Sequence, residues 1–128
     1  MSKIVVNTNK APGAIGPYSQ GIKANGFVFT SGILPLNPQT GAVVGSTVEE
    51  QTEQVMHNIA AILEEAGSGF DKIVKATVYI TDFGDFAAMN GVYGKYFKSE
   101  CPARSCVEIG KLAKNAMVEI EVVAIASF

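Results

Sequence analysis

At 128 residues, 48% of them hydrophobic, the chain falls in the usual single-domain range of about 100–200 residues and can bury a core, so one domain over residues 1–128 is expected. Its formal net charge of −2 supplies no basic stripe for a phosphate backbone, which argues against nucleic acid as a partner. The opening MSKIVVNTNKAPG lacks the apolar run of a signal peptide, and no later stretch approaches the roughly 20 apolar residues that span a bilayer. A cytoplasmic location is therefore expected, with no membrane partner.

A short apolar opening at Ile4 to Val6 comes first. The stretch Tyr18 to Ala24 then meets Phe27 to Ser31 across Asn25-Gly26, a dipeptide that favours the two-residue hairpin turn. Asn37 to Gly41 reads as a turn, and Ser46-Thr47-Val48-Glu49 has the S-x-x-E form of a capping box. Val48, Val55, Met56, Ile59, Ile62, Leu63 and Ala66 recur at helical spacing up to Gly67, a residue suited to a left-handed helix end.

The β-branched run Ile73 to Ile80 predicts a strand. Asp82 or Asp85 is placed to cap a second helix reaching about Phe97, with Phe86, Met89, Tyr93 and Phe97 on its apolar face. Two more strands, Ala103 to Ile109 and Ala116 to Ala126, complete an α+β order.

Strict alternation divides the last strand into two faces: Val118, Ile120, Val122 and Ala124 on one, and Met117, Glu119, Glu121, Val123 and Ile125 on the other. Two helices cover only one face of such a sheet. The second face is apolar at both ends, a patch larger than soluble monomers usually leave in water, so self-association through it is expected.

Arg104 follows Pro102 inside the small, apolar run Pro-Ala-Arg-Ser-Cys-Val. Its planar fork suits bidentate capture of a carboxylate or phosphate; an intersubunit ion pair with Glu119 or Glu121 is the structural alternative. Glu119 lies between Val118 and Ile120, where partial burial raises a carboxyl pKa toward the range useful to a general base; a solvated interface residue is the alternative. Asn90 shares the stripe of Phe86, Tyr93 and Phe97, so burial is expected, with its amide bonded either to a strand backbone or to a ligand.

Cys106 shares a strand face with Arg104, whose charge favours the thiolate. A nucleophilic thiolate also needs a base, and the only histidine, His57, is expected on the solvent side of its helix. Cys101 and Cys106 are too few for a disulfide framework and match no common zinc spacing, so reduced thiols and no metal are expected. Tyr18 and Ser31 place hydroxyls beside glycines near the hairpin, as ordinary strand residues or as a pocket lining.

Three blocks together resemble the RidA/YjgF family of reactive-intermediate deaminases over essentially the whole chain. They are Ile15-Gly16-Pro17-Tyr18-Ser19-Gln20; Thr30-Ser31-Gly32 leading to Pro35-Leu36-Asn37-Pro38-Gln39-Thr40-Gly41; and Pro102-Ala103-Arg104-Ser105-Cys106-Val107 followed by Val118-Glu119-Ile120-Glu121. The resemblance implies a chorismate-mutase-like α+β fold, with a six-stranded sheet backed by two helices, assembled as a homotrimer with clefts between neighbours. It also implies that Arg104 anchors a substrate carboxylate, that Glu119 and the Cys106 main-chain carbonyl place the attacking water, and that Tyr18, Ser31 and Asn90 line the pocket.

The implied activity is cofactor-free hydrolysis of 2-iminopropanoate or 2-iminobutanoate, released by pyridoxal-phosphate dehydratases, to a 2-keto acid and ammonia. The chain departs from the commonest family pattern at Ile33, where many members carry glutamine, and at Ala113, where proline is frequent. The first departure bears on the size of substrate side chain accepted. Two rival functions remain: a noncatalytic trimer that binds keto acids, and an endoribonuclease or translation inhibitor, against which the absence of a basic patch and of paired histidines argues.

Overall fold

The computed structural model describes residues 2–126. Three short strands open it: β1 (Ile4–Val6), β2 (Gly21–Ala24) and β3 (Phe27–Thr30). Asn25 and Gly26 both take positive φ, 53° and 87°, as the predicted hairpin turn requires. Strand β2 is shorter than expected, because its pairing with β1 runs only from Val6↔Gly21 to Ile4↔Lys23 and leaves Tyr18 to Gln20 as connecting chain.

Helix α1 (Val48–Glu65) begins one residue later than the predicted cap. Thr47, not Ser46, is the N-cap: its Oγ1 accepts from the Glu50 N–H at 3.2 Å, while Glu50 Oε1 accepts from the Ser46 and Thr47 N–H groups at 3.0 and 3.3 Å. The consecutive Glu49-Glu50 pair lets either register satisfy the sequence pattern, and the extended backbone at Thr47 selects the second. At the other end Gly67, with φ 76°, turns the chain so that Ser68 N–H reaches Leu63 O at 2.8 Å. Val55, Ile59, Ile62 and Leu63 are fully buried, each stabilising the fold by about 1.5–3 kcal/mol.

Strand β4 (Ile73–Ile80) leads to α2 (Phe86–Gly94), which is shorter than predicted. From Gly94 onward the helix tightens into i→i+3 turns, with Phe97 N–H donating to Gly94 O at 3.2 Å, so the predicted end at Phe97 marks these turns. Asp82 caps the single 3₁₀ turn before α2, and Asp85 stands at the helix N-cap without a side-chain bond.

Strands β5 (Ala103–Glu108) and β6 (Val118–Ile125) complete a six-stranded sheet in the order β1-β2-β3-β6-β4-β5. The β4–β5 pair is parallel and all others are antiparallel, so the six-stranded sheet is mixed. Val118, Ile120, Val122 and Ala124 are at most 3% exposed beneath the helices. The opposite face leaves Phe27, Phe29, Val107 and Ile125 exposed, apolar residues on three of its strands, β3, β5 and β6. No helix among the described residues is long and apolar enough to cross a membrane.

Candidate functional site

Pairing registers assign each predicted site residue to a face. Arg104 and Cys106 pair with Ala76 and Val78, both fully buried under the helices, so their side chains stand on the helix side of β5. Glu119 and Glu121 pair with Tyr79 and Thr77, on the other side. An ion pair between Arg104 and either glutamate is therefore excluded within one chain, and among the described residues no carboxylate lies within 4.0 Å of Arg104.

Arg104 is instead enclosed by α2. Its Nη1 donates to Asn90 Oδ1 at 2.6 Å, and its guanidinium carbon lies 5.6 Å from the Phe86 ring centroid and 4.9 Å from that of Tyr93. Asn90 is exposed, contrary to the burial expected of its stripe, and its oxygen meets Arg104 rather than a strand backbone. The sheet ends at β5, so among the described residues no further strand lies beyond Arg104.

The Cys106 thiol also departs from expectation. Burial pushes its pKa up, and the opposing pull of the Arg104 charge is the smaller effect, so a thiolate is disfavoured. Its carbonyl has a different standing. Ile109 N–H bonds to Ile80 O across the β4–β5 pair at 2.9 Å, and alternate residues of a strand address opposite edges. The main-chain groups of Arg104 and Cys106 consequently face the open edge of the sheet.

Glu119 belongs to a second cluster. Its carboxylate packs against Gly32 so closely that a Cβ on residue 32 would overlap it. Reciprocal bonds between Ile33 and Ile120, at 2.8 and 3.1 Å, hold the two segments in this register. Burial is the larger cause, and the neighbouring Glu121 charge the smaller, of a Glu119 pKa raised above the ordinary carboxyl value. Ser31 stands beside them with Oγ donating to Ser19 O at 2.5 Å, and Tyr18 is half-exposed.

A cavity of about 460 Å³ adjoins this cluster, lined by Tyr18, Ser31, Gly32, Ile33, Leu36 and Ala113 among others. Ile33 and Ala113, the two departures from the family pattern, thus share one wall space. Buried amides hold the surrounding loops. Gln20 Nε2 donates to Thr8 O and Pro12 O at 3.0 and 2.8 Å, and Asn58 Nδ2 to Leu34 O and Leu36 O at 3.1 and 2.9 Å.

Three contributors carried no functional signal in the sequence. Gly32 was legible only as a flexible neighbour of Ser31, and Phe86 and Tyr93 only as core residues of a helix. The spacing of Phe86, Asn90 and Tyr93 at i, i+4 and i+7 places them on one stripe, which a search for partners of Arg104 would have had to combine with tertiary contact. His57 is exposed on α1, paired loosely with Glu53 at 3.8 Å, as expected.

The mixed sheet, with helices on one face and, at its parallel edge, an arginine that has no ion-pair partner among the described residues, defines an α+β protein of chorismate-mutase-like architecture. Residues 8–126 match the family model described as endoribonuclease L-PSP. The chain is 48% identical to reactive intermediate deaminase A, chloroplastic, of Arabidopsis thaliana, over 97% of this chain and 66% of that one. It superposes on YyfA of Yersinia pestis, a protein of the Rid family, with a TM-score of 0.95 at 49% identity, covering 98% and 100% of the two chains. For Escherichia coli TdcF with bound serine the TM-score is 0.92 at 42% identity, covering 97% and 99%. The chain belongs to the RidA/YjgF family.

Proposed function

We propose that this protein hydrolyses small reactive 2-imino acids, such as 2-iminopropanoate and 2-iminobutanoate, to 2-keto acids and ammonia. The observation that carries this function is the division of chemistry between two faces: a guanidinium without a carboxylate partner among the described residues on one, and a half-buried carboxylate whose pKa burial raises on the other. A planar carboxylate is the natural complement of the first, and a water molecule losing a proton that of the second. The amino acid bound to TdcF carries the same carboxylate group.

Arg104 binds the substrate carboxylate and orients the imine carbon. Glu119 accepts a proton from water as its oxygen bonds to that carbon. With the imine entering protonated, that same proton then passes to the carbinolamine nitrogen, Glu119 takes up the hydroxyl proton as the C–N bond breaks, and ammonia departs to leave a carbonyl. The Cys106 carbonyl, on the open edge, accepts a hydrogen bond from the water or the nitrogen. The balance needs one water and no cofactor.

Because Arg104 and Glu119 face apart, the complete cleft forms between copies of the chain. Its exposed apolar face, from Phe27 to Val107, supports assembly as the homotrimer the family resemblance implies. Tyr18, Ser31 and Asn90 then border the cleft, and the substrate's side chain enters the cavity floored by Ile33. Serine and threonine dehydratases dependent on pyridoxal phosphate are the matching source of substrate.

The test adds the protein to such a dehydratase and follows decay of the transient imine, with Arg104→Ala as control. Faster decay with wild type alone supports the proposal. No change in the decay with either protein, both being folded oligomers, overturns it for these substrates in favour of a binder of keto acids. Cleavage of RNA that is salt-sensitive and lost in Arg104→Ala would favour the endoribonuclease function instead.

A further inference from the structure

We propose that Phe86 and Tyr93 are positioning residues that set the Arg104 guanidinium for its ligand before the ligand arrives. This rests on Arg104 being the carboxylate anchor, and adds what fixes the anchor in place.

Arginine has a long, flexible stem, and Arg104 springs from an edge strand with no ion-pair partner among the described residues. Left to itself such a side chain samples many rotamers, and a ligand must select one of them. Here a single stripe of α2 supplies three restraints. Phe86 and Tyr93 present rings 5.6 and 4.9 Å from the guanidinium carbon, and Asn90, between them in sequence, accepts one N–H at 2.6 Å.

A guanidinium carries five N–H donors, and the Asn90 amide uses one. Aromatic rings attract the cation through their π-electrons and consume no donor. The remaining donors stay available to a carboxylate. An acidic residue in place of the rings would hold the arginine equally firmly but would occupy the fork that the ligand needs.

Tyr93 acts through its ring. Its hydroxyl is buried without a hydrogen-bond partner among the described residues and so makes no hydrogen bond to Arg104, and a phenylalanine at the position keeps the ring contact. Tyr93 is 6% exposed and Phe86 is half-buried, which makes substitution at Phe86 the milder of the two for folding.

The experiment measures the dissociation constant of 2-oxobutanoate by calorimetry, and KM and kcat for imine hydrolysis, in wild type, Phe86→Leu, Tyr93→Leu, Tyr93→Phe and Arg104→Ala. Folding is checked by thermal melting. Phe86→Leu and Tyr93→Leu are expected to weaken binding about fivefold each and to raise KM with kcat little changed. Tyr93→Phe retains the wild-type constant. If Arg104→Ala abolishes binding while the folded leucine variants bind as wild type does, the aromatic contacts only pack α2 against β5 and the proposal falls. It falls also if Tyr93→Phe loses as much as Tyr93→Leu, since the hydroxyl then acts. If Arg104→Ala binds as wild type does, the anchor itself is wrong. Should Tyr93→Leu not fold, Phe86→Leu alone decides.

Discussion

Arg104 and Glu119 stand on opposite faces of one sheet, the first paired with Ala76 on the side covered by helices and the second with Tyr79 on the bare side. No rotamer change brings their head groups together through the sheet, so a shared substrate requires a second copy of the chain.

Complementation follows from that separation. Arg104→Ala and Glu119→Gln, each inactive alone, should regain activity when unfolded together and reassembled, because some interfaces then receive the intact arginine from one copy and the intact glutamate from its neighbour. Random mixing in equal amounts predicts about a quarter of the wild-type rate per site. Recovery of nothing, with mixed oligomers verified by mass, would place both residues of a site in one chain or remove one of them from the chemistry.

Glu119→Gln by itself should lower imine turnover by about 10²- to 10⁴-fold, the range of a positioned general base, while 2-oxobutanoate binding stays near that of wild type. Loss of binding in parallel with turnover would make Glu119 a ligand contact instead.

The pH dependence has a definite sign. Glu119 must be ionised to accept a proton, and its pKa is raised above 4.5, so kcat/KM should fall on acidification at a pH above that of an ordinary carboxyl. Glu121 contributes to the rise through like charge. Glu121→Gln removes that repulsion, favours the ionised form, and should move the acid limb to lower pH. A limb that stays in place while activity persists would show that another group titrates there.

Gly32→Ala tests the packing beneath the base. The new methyl meets the far end of the Glu119 side chain and must displace it, with only a small loss of stability because that end is flexible, and with a fall in kcat because the base is moved. Chemical denaturation and steady-state kinetics measure the two effects; a variant with both unchanged would mean that the carboxylate has room to move aside.

Thr47→Ala provides a contrast remote from the site. Losing the cap of α1 should cost about 1 kcal/mol in urea unfolding and leave imine turnover per folded molecule unchanged.

Much of the architecture was legible because it rests on local rules. The Asn25-Gly26 turn, the buried stripe of α1 ending at Gly67, and the two faces of β6 follow from backbone preference and periodicity alone. The misplaced cap at Ser46 and the overlong second helix arose where two registers satisfy the same pattern, or where a helix relaxes into turns. Arg104 does pull the Cys106 pKa down, as its spacing suggests, but the net shift is upward because burial, which only packing sets, outweighs that charge.

Residue types and their order along the chain determined, without coordinates, which groups are available for chemistry: one isolated arginine, a glutamate in an apolar strand, two hydroxyls near glycines. Tertiary structure decided which of them meet. The order β6-β4-β5 and its registers turned Arg104 toward α2 and Glu119 toward Gly32, and the contacts of Phe86 and Tyr93 with the guanidinium exist only because a helix and an edge strand distant in sequence are packed together. Periodicity specifies a face of each element. The partner of that face is set by the whole chain burying its apolar surface at once.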